Sequence, residues 1–368
     1  MKKIKILTLS TSGLGKKEGI STVILDNYAL FDKDKFQLDM IASGDYSYQL
    51  ISEFQNIGVN IKCLPSRKIS LIQYITALVK LMRREKYDAV YLHGSSAILS
   101  IELIIARVCG CKIRVVHSHN TTCDHKIADK ILRTIFYKNY TVALACGHEA
   151  GQWLYGNRPF DIIKNGRNTK VYAFDSDKRD YMREKLGLSA QTLVLGHVGN
   201  FNAQKNQVFL LDVLDQLLKV ERNLKLYLMG DGTTRKSIMQ MANDRELSQY
   251  IVFTGSIQNV PDMLQAMDIM LLPSLHEGLP LVAVEWQMMG LPCILSDKIT
   301  KECMFTDTVK FLPIDSAENW KNAILESRTI SDNRVDASEK AISAAKEIGY
   351  DLQENAQKLQ QYFERGDK

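Results

Sequence analysis

Short apolar runs alternate with stretches whose apolar positions recur every three or four residues, almost from one end of the chain to the other. Runs at residues 4–9, 37–42, 59–64, 89–92, 113–117, 142–146 and 162–164 predict one series of strands. A second series is predicted at 193–197, 224–229, 251–254, 269–272, 293–295 and 310–312. The intervening segments have helical spacing, as at 207–218, where Val208, Leu211, Leu214 and Leu218 share a face. Continuous apolar strands separated by helices imply parallel sheets covered on both faces. A polar stretch, 168–183, divides the two series and places a domain boundary near residue 170. Its Asp175-Ser-Asp177 precedes a helical pattern and reads as a helix cap rather than a metal ligand pair. The last amphipathic segment, with Leu352, Ala356, Leu359 and Phe363, has no following strand to cover.

Composition fits this picture. A chain of 368 residues, 45% hydrophobic and 24% charged, supports two ordinary globular domains. No apolar run reaches the roughly 18–20 residues of a membrane span; the longest, 98–111, is broken by Glu102 and Arg107. The protein is expected in the cytoplasm. Seven scattered cysteines do not make a disulfide framework, and Cys109-Gly-Cys111 lacks zinc-site spacing, so the thiols are expected to be buried. Charge is asymmetric: residues 1–168 carry 24 Lys+Arg against 14 Asp+Glu, a net +10, and the remainder is −5. The basic half is either a solvated face or meets an anionic surface such as phospholipid or a lipid phosphate. No nucleic-acid motif accompanies it.

The most informative stretch is LLPSLHEGLPLVAVEWQMMGLPCIL, residues 271–295. A strand ends near Pro273, Gly278 permits a tight turn, Pro280 suits a first helical turn, and Gly290 stops the helix. Such a helix start presents free backbone N–H groups, a diphosphate site by construction. Glu277 in the loop and Glu285 in the helix either supply carboxylates that accept hydrogen bonds from sugar and ribose hydroxyls, or are solvated charges that complement the helix dipole.

This run resembles the E-x7-E motif of retaining glycosyltransferases of the GT-B fold, family four. The resemblance extends along the chain. His197-Val-Gly-Asn-Phe-Asn-Ala-Gln-Lys205-Asn206 is similar to the family's glycine-turn-lysine motif. Met229-Gly-Asp-Gly232, Phe253-Thr-Gly-Ser256 and Lys164-Asn-Gly166 match further strand ends and the linker. Residues 114–121 and 144–153 resemble the version found in capsular and exopolysaccharide biosynthesis. The resemblance implies two Rossmann-like domains facing a central cleft: an acceptor domain at 1–168, a donor domain at 169–348, and a C-terminal helix, 349–368, crossing back to the first. It implies sugar transfer from a UDP-sugar, used as substrate with no cofactor and no metal, to a lipid-linked saccharide.

The implied roles follow residue by residue. Glu277 contacts the transferred sugar, Lys205 the diphosphate and Glu285 the ribose. Gly278, Leu279 and Leu281 line the phosphates, and Gly199, Asn200, Gly255 and Ile257 the rest of the donor. His119 reaches the donor sugar; His117 shares its strand face, so alternation does not separate the two. One departure matters: the family's arginine five positions before the lysine is here Asn200, a neutral side chain without bidentate charge. The loop 10–19 does not fit G-x-G-x-x-G, since three residues separate Gly15 from Gly19; Gly13 and Gly19 border the acceptor or form a plain turn. His93, at a strand end, is a further cleft candidate. Lys80, Arg83, Arg84 and Lys86 flank Leu78, Val79 and Met82 as a candidate contact with an anionic inner membrane face, or as a solvated basic face. Two other readings share this scaffold, a nucleotide-sugar epimerase and a non-catalytic nucleotide-sugar-binding partner.

Overall fold

The computed structural model describes residues 2–14, 19–44, 46–328 and 333–364. The chain forms two compact units: residues up to Gly166 with those from Gly349 onward, and Arg167–Ile348. In the first, strands β1 (Ile4–Ser10), β2 (Phe36–Ser43), β3 (Asn60–Leu64), β4 (Ala89–His93), β5 (Ile113–Ser118), β6 (Val142–Ala145) and β7 (Asp161–Ile162) make one sheet in the order 3-2-1-4-5-6-7. In the second, β8 (Leu193–Val198), β9 (Leu224–Met229), β10 (Ile251–Gly255), β11 (Ile269–Leu272), β12 (Cys293–Ser296) and β13 (Val309–Leu312) run 10-9-8-11-12-13. Every pairing in both sheets is parallel.

Both sheets reverse direction of build beside their first strand, between β1 and β4 and between β8 and β11. Connections there leave toward opposite faces, and a crevice opens at the carboxyl ends of those strands. Both faces of each sheet are apolar. Leu193 and Leu195 pack against α8 (Gln207–Leu217), while Val194 between them packs with α11 (Leu281–Met288). Likewise Leu7 and Leu9 meet α3 (Leu71–Glu85), and Ile6 meets α1 (Gly19–Ala29). Each such side chain contributes about 1.5–3 kcal/mol on burial, which is why the strands read as near-continuous apolar runs.

The last helix, α14 (Leu352–Glu364), puts Leu359 and Phe363 into the cluster of Tyr28 and Phe31 in the first unit. Asn355 Nδ2 donates to the Lys164 carbonyl at 2.9 Å. The approach requires Gly166, where a Cβ would lie 2.7 Å from Leu352 Cα. Asp175 caps α7 (Ser176–Lys185), its carboxylate accepting from Lys178 N at 3.1 Å, so the Asp-Ser-Asp run is occupied by capping. At the amino end of β11, buried Asp268 accepts from Arg179, Arg183 and the Val194 amide, while Arg334 donates to carbonyls of Leu264, Gln265, Met267 and Met289. This guanidinium satisfies carbonyls at the ends of two helices, on the opposite side of the sheet from the crevice.

Two expectations need correction. The seven cysteines are thiols, but Cys63 is exposed and Cys109 and Cys123 are half-buried; Cys111, Cys146, Cys293 and Cys303 are buried. On α3, Leu78 and Met82 point into the core and Val79 is half-buried, so these three side chains are not the expected apolar face flanked by Lys80, Arg83, Arg84 and Lys86. The exposed apolar residues of that helix are Leu71 and Ile72, at its start.

Candidate functional site

In the second unit, the crevice end is built from two loops, one after β8 and one after β11. They are stitched together: Leu275 N donates to Gln204 O at 2.8 Å, Gln204 Nε2 to His276 O at 2.9 Å, and Asn206 Nδ2 to Pro273 O at 3.2 Å. Asn202 accepts from Lys205 N at 2.9 Å and closes a short turn that aims the lysine. Its Nζ lies 2.6 Å from Glu277 Oε1, which also accepts from the Ser274 hydroxyl at 2.8 Å. Two residues 72 apart in sequence thus share one charge-assisted bond, with both side chains largely buried.

The turn after β8 is shaped by glycines. A Cβ on Gly199 would sit 3.2 Å from Lys205 Cε, so the lysine stem lies against bare backbone. Gly230, at φ +143°, comes so near that its own Cβ would meet Gly199 O at 2.1 Å. Phe201 N donates to Asp231 O at 2.9 Å, and Thr234 N to Phe201 O at 3.2 Å. Below, His197 Nδ1 donates to Leu271 O at 2.9 Å, leaving Nε2 to accept from Gln207 Nε2 at 3.2 Å. Burial pulls the His197 pKa down to about 4, so it is a neutral brace. Gln207 also donates to Asn200 O at 3.0 Å, which holds the position where the resembled family has arginine.

Pro280 precedes α11 in an extended conformation, and no side chain caps that helix start. Gly278 is exposed, Leu279 and Leu281 are half-buried beside it, and Ile257 packs into the same cluster. Gly255, at φ +70°, ends β10 and accepts from Gly230 N at 2.9 Å. Glu285 sits in the second turn of α11, buried, with its Oε1 2.7 Å from Arg167 Nε. An uncapped helix start, an ammonium and two carboxylates therefore belong to one unit.

The first unit carries a cavity of about 460 Å³ at the carboxyl ends of β1 and β2. Hydroxyls of Ser10, Ser12, Ser43 and Ser66, the backbone of Gly13 (φ +69°), and Arg67, Lys68, Tyr74 and Glu102 line it. Arg67 Nη1 and Tyr74 Oη both reach Glu102 Oε1, at 2.9 and 3.1 Å. Burial raises the Glu102 pKa, with Arg67 opposing. Gly19 opens α1; Gly15 lies outside the described residues.

His93, His117 and His119 are all buried and stacked, their ring nitrogens within 4.8 Å of one another. That donor set suits a transition metal, but each ring already has other work. His117 Nε2 donates to Ile163 O at 3.2 Å and Nδ1 accepts from Tyr91 Oη at 2.7 Å, while His93 Nδ1 and His119 Nε2 share a proton at 2.8 Å. Desolvation pulls all three pKa values down, His117 to about 4; the neighbouring rings add to the effect at His93 and His119. His93 is thus a partner of His119 rather than an independent candidate.

Sequence reasoning missed Arg167, Ser274 and the Arg67–Glu102–Tyr74 group. Glu102 carried a usable signal: it is the lone carboxylate of a helix whose one other charge is Arg107.

Residues 192–327 match the family Glycosyl transferases group 1. The chain is 29% identical over 299 residues to a putative glycosyltransferase, EpsF, of Bacillus subtilis, covering 77% of each chain. It is 26% identical over 340 residues to the UDP-Gal:alpha-D-GlcNAc-diphosphoundecaprenol alpha-1,3-galactosyltransferase of Escherichia coli, covering 86% of each. Among solved structures, Anabaena HepE in complex with UDP superposes with a TM-score of 0.81 at 16% identity, over 98% of this chain and 100% of that one. This likeness is one of fold: both are built from two parallel-sheet α/β units.

Proposed function

Starting from a chain that carries a glycosyltransferase group 1 domain, we propose that it moves a sugar, with retention of configuration, from a UDP-sugar to a lipid-linked saccharide in cell-surface polysaccharide synthesis. The observation that carries this reading is the Lys205–Glu277 pair at the point where the second sheet reverses. Negative charge grows on the departing diphosphate as the glycosidic bond breaks, and a preorganised cation there stabilises the transition state. Lys205 supplies that cation and the start of α11 supplies backbone donors, so the reaction runs without a divalent ion. Glu277 accepts from hydroxyls of the transferred sugar once the diphosphate draws Lys205 away, and Glu285 accepts from ribose. The resemblance implies a role for His119 at the donor sugar, held by His93 in one tautomer. The hydroxyl-lined cavity of the first unit suits an acceptor saccharide, with Lys68 for a phosphate.

The UDP donor is supported by the relative named for UDP-Gal and by the UDP bound in HepE. The lipid-linked acceptor is supported by the same relative's diphosphoundecaprenol substrate. The test is a screen of nucleotide sugars for nucleotide release, with and without membrane lipid extract. Lipid-dependent release from one UDP-sugar, lost in Glu277→Ala, is expected. A new nucleotide sugar formed without acceptor would instead identify an epimerase. Donor binding without any turnover would identify a binding partner.

A further inference from the structure

Helices α4 (Ser100–Val108) and α5 (Lys126–Tyr137) of the first unit lie side by side. Ser100 Oγ reaches Leu132 O at 3.4 Å, and Arg107 Nη1 reaches Asn139 Oδ1, just past the end of α5, at 3.4 Å. On α5, Ile127, Ile131 and Ile135 are 79%, 70% and 41% exposed. Four-residue spacing puts them in one line along the helix. On α4, Val108 is 71% exposed, with exposed Ile104 one turn before it. Single exposed apolar residues are ordinary, but a row of β-branched side chains on adjacent helices marks an interaction surface.

Charge decides what the surface fits. Lys126, Lys130 and Lys138 accompany the isoleucines, and Arg107 accompanies Val108, all exposed. The acidic residues of these helices, Glu102 and Asp129, are buried and paired with Arg67 and Arg133. Neither helix therefore presents a carboxylate to solvent. A second copy of the same face would set ammonium against ammonium. A bilayer with anionic headgroups takes the aliphatic row into the headgroup–acyl boundary and the lysines at headgroup level.

We infer that the α4–α5 face docks the protein on an anionic lipid bilayer. Its purpose rests on the lipid-linked acceptor proposed above; its geometry does not. The test is cosedimentation of the full chain with phosphatidylcholine vesicles, with and without phosphatidylglycerol. Binding is expected with phosphatidylglycerol and is weakened by salt. The variant Ile127→Glu/Ile131→Glu lowers binding about tenfold or more, and Lys126→Glu/Lys130→Glu abolishes the preference for the anionic lipid. UDP binding stays unchanged in both variants. Failure of docking is thus read separately from failure of the transferase reading, which UDP binding and turnover report. The inference is overturned if the wild-type chain ignores anionic vesicles or if the isoleucine variant binds them equally well. It is also overturned if Ile131→Glu converts a dimer to a monomer, since a second copy would then own the face.

Discussion

Replacing Lys205 separates a structural role from a chemical one. Its ammonium lies 2.6 Å from the Glu277 carboxylate, with the two side chains 16% and 11% exposed. In Lys205→Met the carboxylate keeps the Ser274 hydroxyl and loses its cation. A hydrogen bond to a charged group contributes about 1.5–3 kcal/mol. A loss of about 2 kcal/mol lowers the melting temperature of a unit this size by about 4–8 °C. The double variant Lys205→Met/Glu277→Gln pairs two neutral side chains, so much of that temperature returns. Activity follows a different course. Without its cation the departing diphosphate loses about 2.7–4 kcal/mol of transition-state stabilisation, so kcat falls about 100- to 1000-fold in single and double variants alike. Thermal melts run beside nucleotide-release assays read both quantities on the same samples. Activity that returns together with stability in the double variant would show a merely structural pair and refute the reasoning.

Two further outcomes are expected. Glu285→Gln weakens a charged bond made equally to bound donor and transition state, so KM for the donor rises about ten- to a hundredfold with kcat little changed; a fall in kcat alone would contradict the ribose role. Stability depends on pH through buried histidines: His117 and His197 have folded pKa values near 4 against 6.5 in the unfolded chain. Between those values the unfolded state binds more protons, so stability is lost as pH falls from about 6.5 toward 4, by about 2 kcal/mol per histidine at pH 5. Chemical denaturation across that range should show the slope, and His197→Gln should reduce it; an unchanged slope would exclude His197 as a source.

Local order was written plainly in the chain. The alternation of apolar runs and helical spacing predicts the thirteen strands of the described residues close to their observed limits, because a strand buried on both faces must be apolar throughout. The cap at Asp175, the turn at Gly278 and the stop at Gly290, which adopts φ +66°, follow from local chemistry that needs no distant partner. Which side chains meet was a different matter. Lys205 and Glu277, 72 positions apart, become neighbours because β8 and β11 are adjacent where the sheet reverses. His93 joins His119 because β4 and β5 pair in register, His93 opposite His117. Glu102 read as a charge interrupting an apolar run, and only the fold set Arg67 and Tyr74 against it over a cavity. The row of isoleucines on α5 shows the same division. Their helical spacing is visible in sequence and would suit a core face, yet packing turns Phe136 inward and leaves them in solvent. Periodicity reports that a face exists; tertiary contacts decide what, if anything, covers it.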